Sequence, residues 1–208
     1  KGARGTVAGT GQPQGPAFKE AVPEIEEYAR LMGGDIKGDV IANNKTFNLQ
    51  MLFADESFFF FFSFPLLRGD PATALKDISS VVITETVARK YFNSIDVIGK
   101  TINPDADPSS QKLGRPLIIT GVAKDIPKNS SVRFEILFPM RFMQLSFTDT
   151  AWLNQYLGTF LILKPGADLD KVSQKFNRVF AAHAGWQVAE SQKLYHYDPK
   201  ISYSLQHV

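Results

Sequence analysis

Residues Ser79 to Phe92 constrain the fold more than any other stretch. Ser79 to Thr84 reads SSVVIT, β-branched and bounded by polar residues, which is the pattern of a buried strand. Thr84 or Glu85 then starts a helix that runs through Tyr91 and Phe92. Val87, Ala88, Tyr91 and Phe92 fall at i, i+1, i+4 and i+5, one apolar stripe that anchors the helix on a sheet. Asn93 is a suitable C-cap. The chain must therefore build a sheet with helices packed against it.

The rest of the chain supplies more short elements. Lys1 to Pro16, rich in Gly, Gln and Pro, reads as a flexible lead-in. Phe18 to Val22 suits a short helical piece, and Pro23 opens a stretch from Ile25 to Leu31. Asp35 to Ile41 and Lys45 to Met51, joined by Asn43-Asn44, read as a hairpin with one wetted face. Asp55 is placed to cap a short aromatic helix, Ser57 to Phe62. Leu66-Leu67 is a brief strand ended by Gly69-Asp70-Pro71, and Ala72 to Leu75 a helical turn. Ile98 to Ile102 enters another strand, and Pro104 to Gly114 reads as a surface loop. Leu117 to Val122 and Val132 to Phe138 are strands. Trp152 to Tyr156 suits a helix and Thr159 to Leu163 a strand. Asp168 caps a helix from Leu169 to His183, closed by Gly185. No regular βαβ repeat connects these pieces, so the fold class is α+β, with mixed or antiparallel sheets and packed helices.

Composition excludes several functions. Twenty-three Lys and Arg against 21 Asp and Glu leave a net charge of +2, with no electrostatic footprint for nucleic acid. The absence of cysteine removes disulfides, thiolate zinc sites and cysteine nucleophiles. The most apolar run, Phe58 to Leu67, is broken by Ser63 and Pro65 and is too short to span a bilayer. The chain opens at Lys1 and stops at Val208, just after the strand-like alternation of Ile201 to Leu205. That pattern is expected of a segment cut from a longer polypeptide.

No motif carries enzymatic chemistry. Gly9-Thr10-Gly11 and Gly15 lack the preceding strand and the Gly-Lys-Ser/Thr of a phosphate cradle. Asp105, Asp107 and Ser109 begin like a calcium loop, but Ser110 and Pro116 stand where that loop needs Gly and Glu. His183, His196 and His207 have no ligand spacing. Arg68-Gly69-Asp70 spells an adhesion tripeptide but reads as a turn, as do the glycosylation-like triplets at Asn44 and Asn129. No Gly-x-Ser-x-Gly elbow or carboxylate pair is present. The expectation is no catalytic, cofactor-binding or metal residue, and no cofactor. The unusual feature is Phe58, Phe59, Phe60, Phe61 and Phe62. Consecutive rings on a helix point all round, so they either pack between two layers or form a contact patch for a partner, a membrane surface or an apolar ligand.

Five segments in order resemble the MacB-like periplasmic core domain of FtsX/MacB-family ABC transporter permeases. They are Phe53 to Phe59 (FADESFF), Phe62 to Asp70 (FSFPLLRGD), Ser80 to Phe92 (SVVITETVARKYF), Asp96 to Ile102 (DVIGKTI) and Ile119 to Ser130 (ITGVAKDIPKNS). Together they cover roughly Pro23 to Phe138. Their glycines, Gly69, Gly99 and Gly121, sit at turns or bends.

The resemblance implies two subdomains within residues 17–208, the second inserted at approximately 100–160. It implies an extracytoplasmic, non-catalytic domain at the periplasmic face of the bacterial inner membrane, part of an integral membrane protein. Its implied partners are a second permease copy, a separate ATP-binding subunit reached through the membrane part, and a periplasmic partner or substrate. The implied role is to couple cytoplasmic ATP hydrolysis to periplasmic motion, for efflux, lipoprotein release or partner activation. The competing expectation is a ligand-binding or sensory module, which would hold a sizeable apolar pocket.

Overall fold

The computed structural model describes residues 9–196 and 201–206. In chain order the elements are α1 (Gln14–Ala21), β1 (Ile25–Ala42), β2 (Lys45–Ala54), α2 (Phe58–Phe61), β3 (Leu66–Arg68), β4 (Ser80–Thr84), α3 (Glu85–Phe92), β5 (Thr101–Pro104), α4 (Pro108–Leu113), β6 (Leu117–Ala123), β7 (Ile136–Pro139), α5 (Met140–Gln144), β8 (Gly158–Leu163) and α6 (Leu169–Tyr195). They divide into two units. One holds Ala29–Thr148; the other holds the chain before and after it. The Ala29–Thr148 unit takes in β2 and most of β1, which hydrogen-bond into the same sheet as β5 and β7.

The Ala29–Thr148 unit is built on a mixed sheet, as the α+β expectation requires. β2 runs parallel to β7, and β4 runs parallel to β6 but antiparallel to β7. β5 pairs antiparallel with both β6 and β1. β1 gives its remaining edge to β2, so the path β1-β2-β7-β4-β6-β5 closes on itself. The β1–β2 hairpin turns at Asn43 and Asn44, both at positive φ (48° and 57°), where Asn is among the few residues tolerated. β3 adds to the end of β6. Gly69, just beyond it, has φ +91°, and a β-carbon there would lie 2.3 Å from the Thr120 carbonyl oxygen. In the Arg68-Gly69-Asp70 turn, Arg68 pairs with Asp96 and Asp70 accepts the Ala72 N–H.

Every residue of β4 is buried, and α3 follows it directly, ending at Asn93 in the left-handed region. The hairpin turn satisfies the carbonyls that the end of α3 leaves open: Asn43 Nδ2 donates to Tyr91 C=O (2.8 Å) and Lys45 Nζ to Lys90 C=O (2.9 Å). The fully buried Tyr91 ring donates its hydroxyl to Val40 C=O at 2.6 Å. Burial pushes the Tyr91 hydroxyl up from 10.0 to about 12. The neutral form is the one that folds, so this stabilisation is complete below pH 10 and is lost as pH rises toward 12. Tyr91→Phe is expected to cost about 1 kcal/mol at neutral pH and to flatten the alkaline fall in stability, read by urea unfolding across pH 8–12.

Three local expectations give way in this unit. Pro104 to Gly114 is not all loop. Asp107 accepts the Ser110 N–H at 2.9 Å, Pro108 takes the first turn and Gly114 the left-handed end, so the polar segment closes into α4 with Ser109 buried. Asp55 does not cap α2; its carboxylate is held by Arg30, and Ser57 stands at the cap. β7 is shorter than the expected Val132 to Phe138 strand.

The other unit has its own core of Phe18, Val22, Ile25, Trp152, Val172, Phe176, Phe180 and Ala184. Phe18 stacks on Phe176, with ring centroids 4.5 Å apart. Residues 9–16, expected to belong to a flexible lead-in, are built into this core; residues 1–8 of that lead-in lie outside the described residues. Thr10 bridges Leu157, Gln12 accepts the Asp149 N–H, and buried Gln14 donates to Trp152 C=O at 2.7 Å. Composition misreads the segment because its amide side chains serve backbone partners and not water.

Trp152 to Tyr156 is not helical. The Asp149 carboxylate accepts from Ala151 N–H, Asn154 and Tyr156, an alternative to the helical ladder. Burial alone would raise the Asp149 carboxyl, but these donors outweigh it and hold it below its ordinary value. Asp168 caps α6 as expected, accepting from Asp170 and Lys171 N–H. The helix passes Gly185 and runs to Tyr195, with His196 in the left-handed end position. Gln187 accepts the Trp152 N–H, which ties the segment beyond Gly185 to this core and offsets part of the roughly 1 kcal/mol that a mid-helix glycine costs. Ile201 to Gln206 alternates in burial but forms no strand.

Candidate functional site

The aromatic segment is launched by a buried ion pair. The β1–β2 register places Leu31 opposite Ala54, and one step further Arg30 meets Asp55. Arg30 Nε and Nη2 donate to the two Asp55 carboxylate oxygens at 2.8 and 2.7 Å, and the Arg30 N–H adds a third bond at 2.8 Å. The Asp55 N–H returns a bond to Arg30 C=O. Three residues later the Phe58 N–H donates to Asp55 C=O, and the chain turns into α2. The pair therefore sets the direction in which the rings leave the sheet.

The five rings do not share one environment. Phe58 is fully buried and forms the hub, with centroids 5.1 Å from Phe59, 5.0 Å from Phe62, 5.6 Å from Phe64 and 5.9 Å from Phe134. Phe59, Phe61 and Phe62 are half-buried, whereas Phe60 is 67% exposed. Phe61 lies between Phe60 (6.2 Å) and Phe62 (6.3 Å), so a chain of rings runs from the core to the surface. Phe58 packs between elements, whereas Phe60 stands out into solvent. Glu56 and Arg141 sit beside this segment, 3.6 Å apart and both more than half exposed. Phe134, Arg30 and Arg141 escaped sequence reasoning because each reaches the segment from a distant part of the chain.

The described residues offer little else to a ligand. They contain no group of three or more His, Asp or Glu placed to hold a metal. His183 stacks face to face on Trp152 at 4.6 Å, His196 ends α6, and His207 lies outside the described residues. A shallow, open concavity of about 320 Å³ lies beside α4, lined by Asn103, Asp107, Ser110 and Arg115 among others. The carboxyls held low each answer to a local donor: Asp77 to Ser79, Glu24 to Lys175, and Asp168 to the Lys171 N–H. No helix among the described residues is long and apolar enough to cross a membrane.

The profile of the MacB-like periplasmic core domain matches residues 2–179. The chain belongs to that family. Among solved structures it is similar to a domain of a candidate permease protein from Porphyromonas gingivalis, at 27% identity and TM-score 0.69, covering 96% of this chain and 84% of that one. It shares its fold with the periplasmic region of MacB from Actinobacillus actinomycetemcomitans, at 15% identity and TM-score 0.58, covering 83% and 73%. It also shares the fold of the extracellular domain of the noncanonic ABC-type transporter YknZ from Gram-positive bacteria, at 12% identity and TM-score 0.59, covering 86% and 87%. No curated protein matches the sequence. The MacB-like periplasmic core domain places this chain in a membrane-transporter context, in a family of permease regions and not of known catalytic domains.

Proposed function

We propose that this MacB-like domain transmits motion. ATP hydrolysed by a separate cytoplasmic subunit drives the membrane part of the permease, and the periplasmic domains of two permease copies move with it as rigid bodies to act on a substrate or a periplasmic partner. The observation that carries the reading is the chain's division: residues 29–148 form one unit inserted between two segments that fold together as the other. A unit held by both flanking segments is suited to receive a displacement and pass it to the inserted one. The absence of cysteine in these 208 residues makes the test direct. A spin label at exposed Lys112→Cys, in the full permease with its ATP-binding partner, is expected to show different copy-to-copy distances in the ATP-bound and nucleotide-free states. An unchanged distance distribution through the ATPase cycle would sink the reading. A ligand-binding role, the competing expectation, draws less support, because the concavity beside α4 is open and carries several polar side chains.

A further inference from the structure

We propose that the exposed face of the aromatic segment is a two-fold contact between permease copies, a partner surface within the transmission role just described and resting on it. The face carries Phe60 at its centre, flanked by Phe59, Phe61 and Phe62, on a hub that the Arg30–Asp55 pair holds in place. Its charge argues for the occupant. Asp55 is neutralised by Arg30 and Glu56 by Arg141, so the charges beside the rings leave no positive excess to draw the face to an anionic bilayer surface. Beside the rings stand one acid and one base, Glu56 and Arg141, at 3.6 Å. A face with that pair is complementary to itself. Across a two-fold axis, Glu56 of each copy meets Arg141 of the other while the Phe60 rings close the centre.

The exposed parts of these four rings amount to a few hundred Å², against roughly 800 Å² per partner in a standard interface. The contact is therefore transient and forms between copies already held in one membrane.

The test uses the full permease in native membranes. Phe60→Cys is expected to give an oxidative homodimer several-fold more readily than Lys112→Cys on α4 of the same unit. Two differently tagged copies, one Glu56→Arg and one Arg141→Glu, are then co-expressed, each also carrying Phe60→Cys. Every intrachain pair is now like-charged, and every pair across a mixed two-fold contact is opposite. Mixed dimers are expected to exceed same-variant dimers by about fivefold, the ratio expected for restored exposed ion pairs. No preference for mixed dimers, cross-linking to another polypeptide, or cross-linking no better than at Lys112 would overturn the proposal. If the Lys112 distances still follow ATP in that case, transmission survives and only this interface fails.

Discussion

Phe58→Ala lowers the unfolding free energy of the domain by about 3–5 kcal/mol, the range for deleting a fully buried aromatic ring. The loss should fall in the upper part of that range. Phe58 touches four other rings, and those partners come from α2, the loop before β3 and the segment before β7, which cannot all collapse into one void. A shift in the urea midpoint checks it. Phe60→Ala is the control: its ring is mostly in solvent, so its cost stays within about 0.5 kcal/mol. Equal effects at the two positions would mean that the rings do not divide into a hub and a face.

Asp55→Ala is expected to cost about 3–5 kcal/mol, because it leaves the Arg30 guanidinium buried without its counter-charge. The paired change, Arg30→Met with Asp55→Leu, removes both charges and should recover most of that loss. The size of the recovery separates the penalty of an orphaned charge from any net benefit of the pair. Asp55→Ala should also increase the exposure of the rings of α2, since the carboxylate bonds that tie the residue before that helix to Arg30 are gone and only backbone bonds remain. Binding of an apolar dye at low denaturant would report it. Unfolding midpoints equal to the parent for Asp55→Ala would mean that the pair is not buried in solution.

How much was legible in the sequence follows from where each interaction is made. The buried strand and helix from Ser79 to Phe92, the Asn43-Asn44 turn and the Asp168 cap depend on neighbours a few residues away, and each is found where local chemistry places it. Several of the errors fall where a distant partner intervened, whereas the α4 cap at Asp107 and the turn around Asp149 are local. Asp55 has the right position for a cap, but Arg30 from the adjoining strand makes a stronger bond. Gly185 has the right chemistry for a helix end, but Gln187 reaches Trp152 and the helix continues. Gln12 and Gln14 look like linker residues until backbone groups from the Asp149 to Trp152 segment reach them.

The candidate site divides in the same way. The run of five phenylalanines announces itself at any level of reading. The side chain that is buried and the one that faces solvent are not decided by the run, because five identical residues carry no pattern. Ring contacts from Phe64 and Phe134 select Phe58 as the hub, and the turn after the ion pair points Phe60 outward. The sequence by itself determined the α+β class and, through five ordered segments, the family, because periodicity, caps and turns are local properties. Only the tertiary structure decided the unit boundaries, the closed strand path and the polarity of the aromatic face. These depend on contacts between residues far apart in the chain, and local propensity does not encode them.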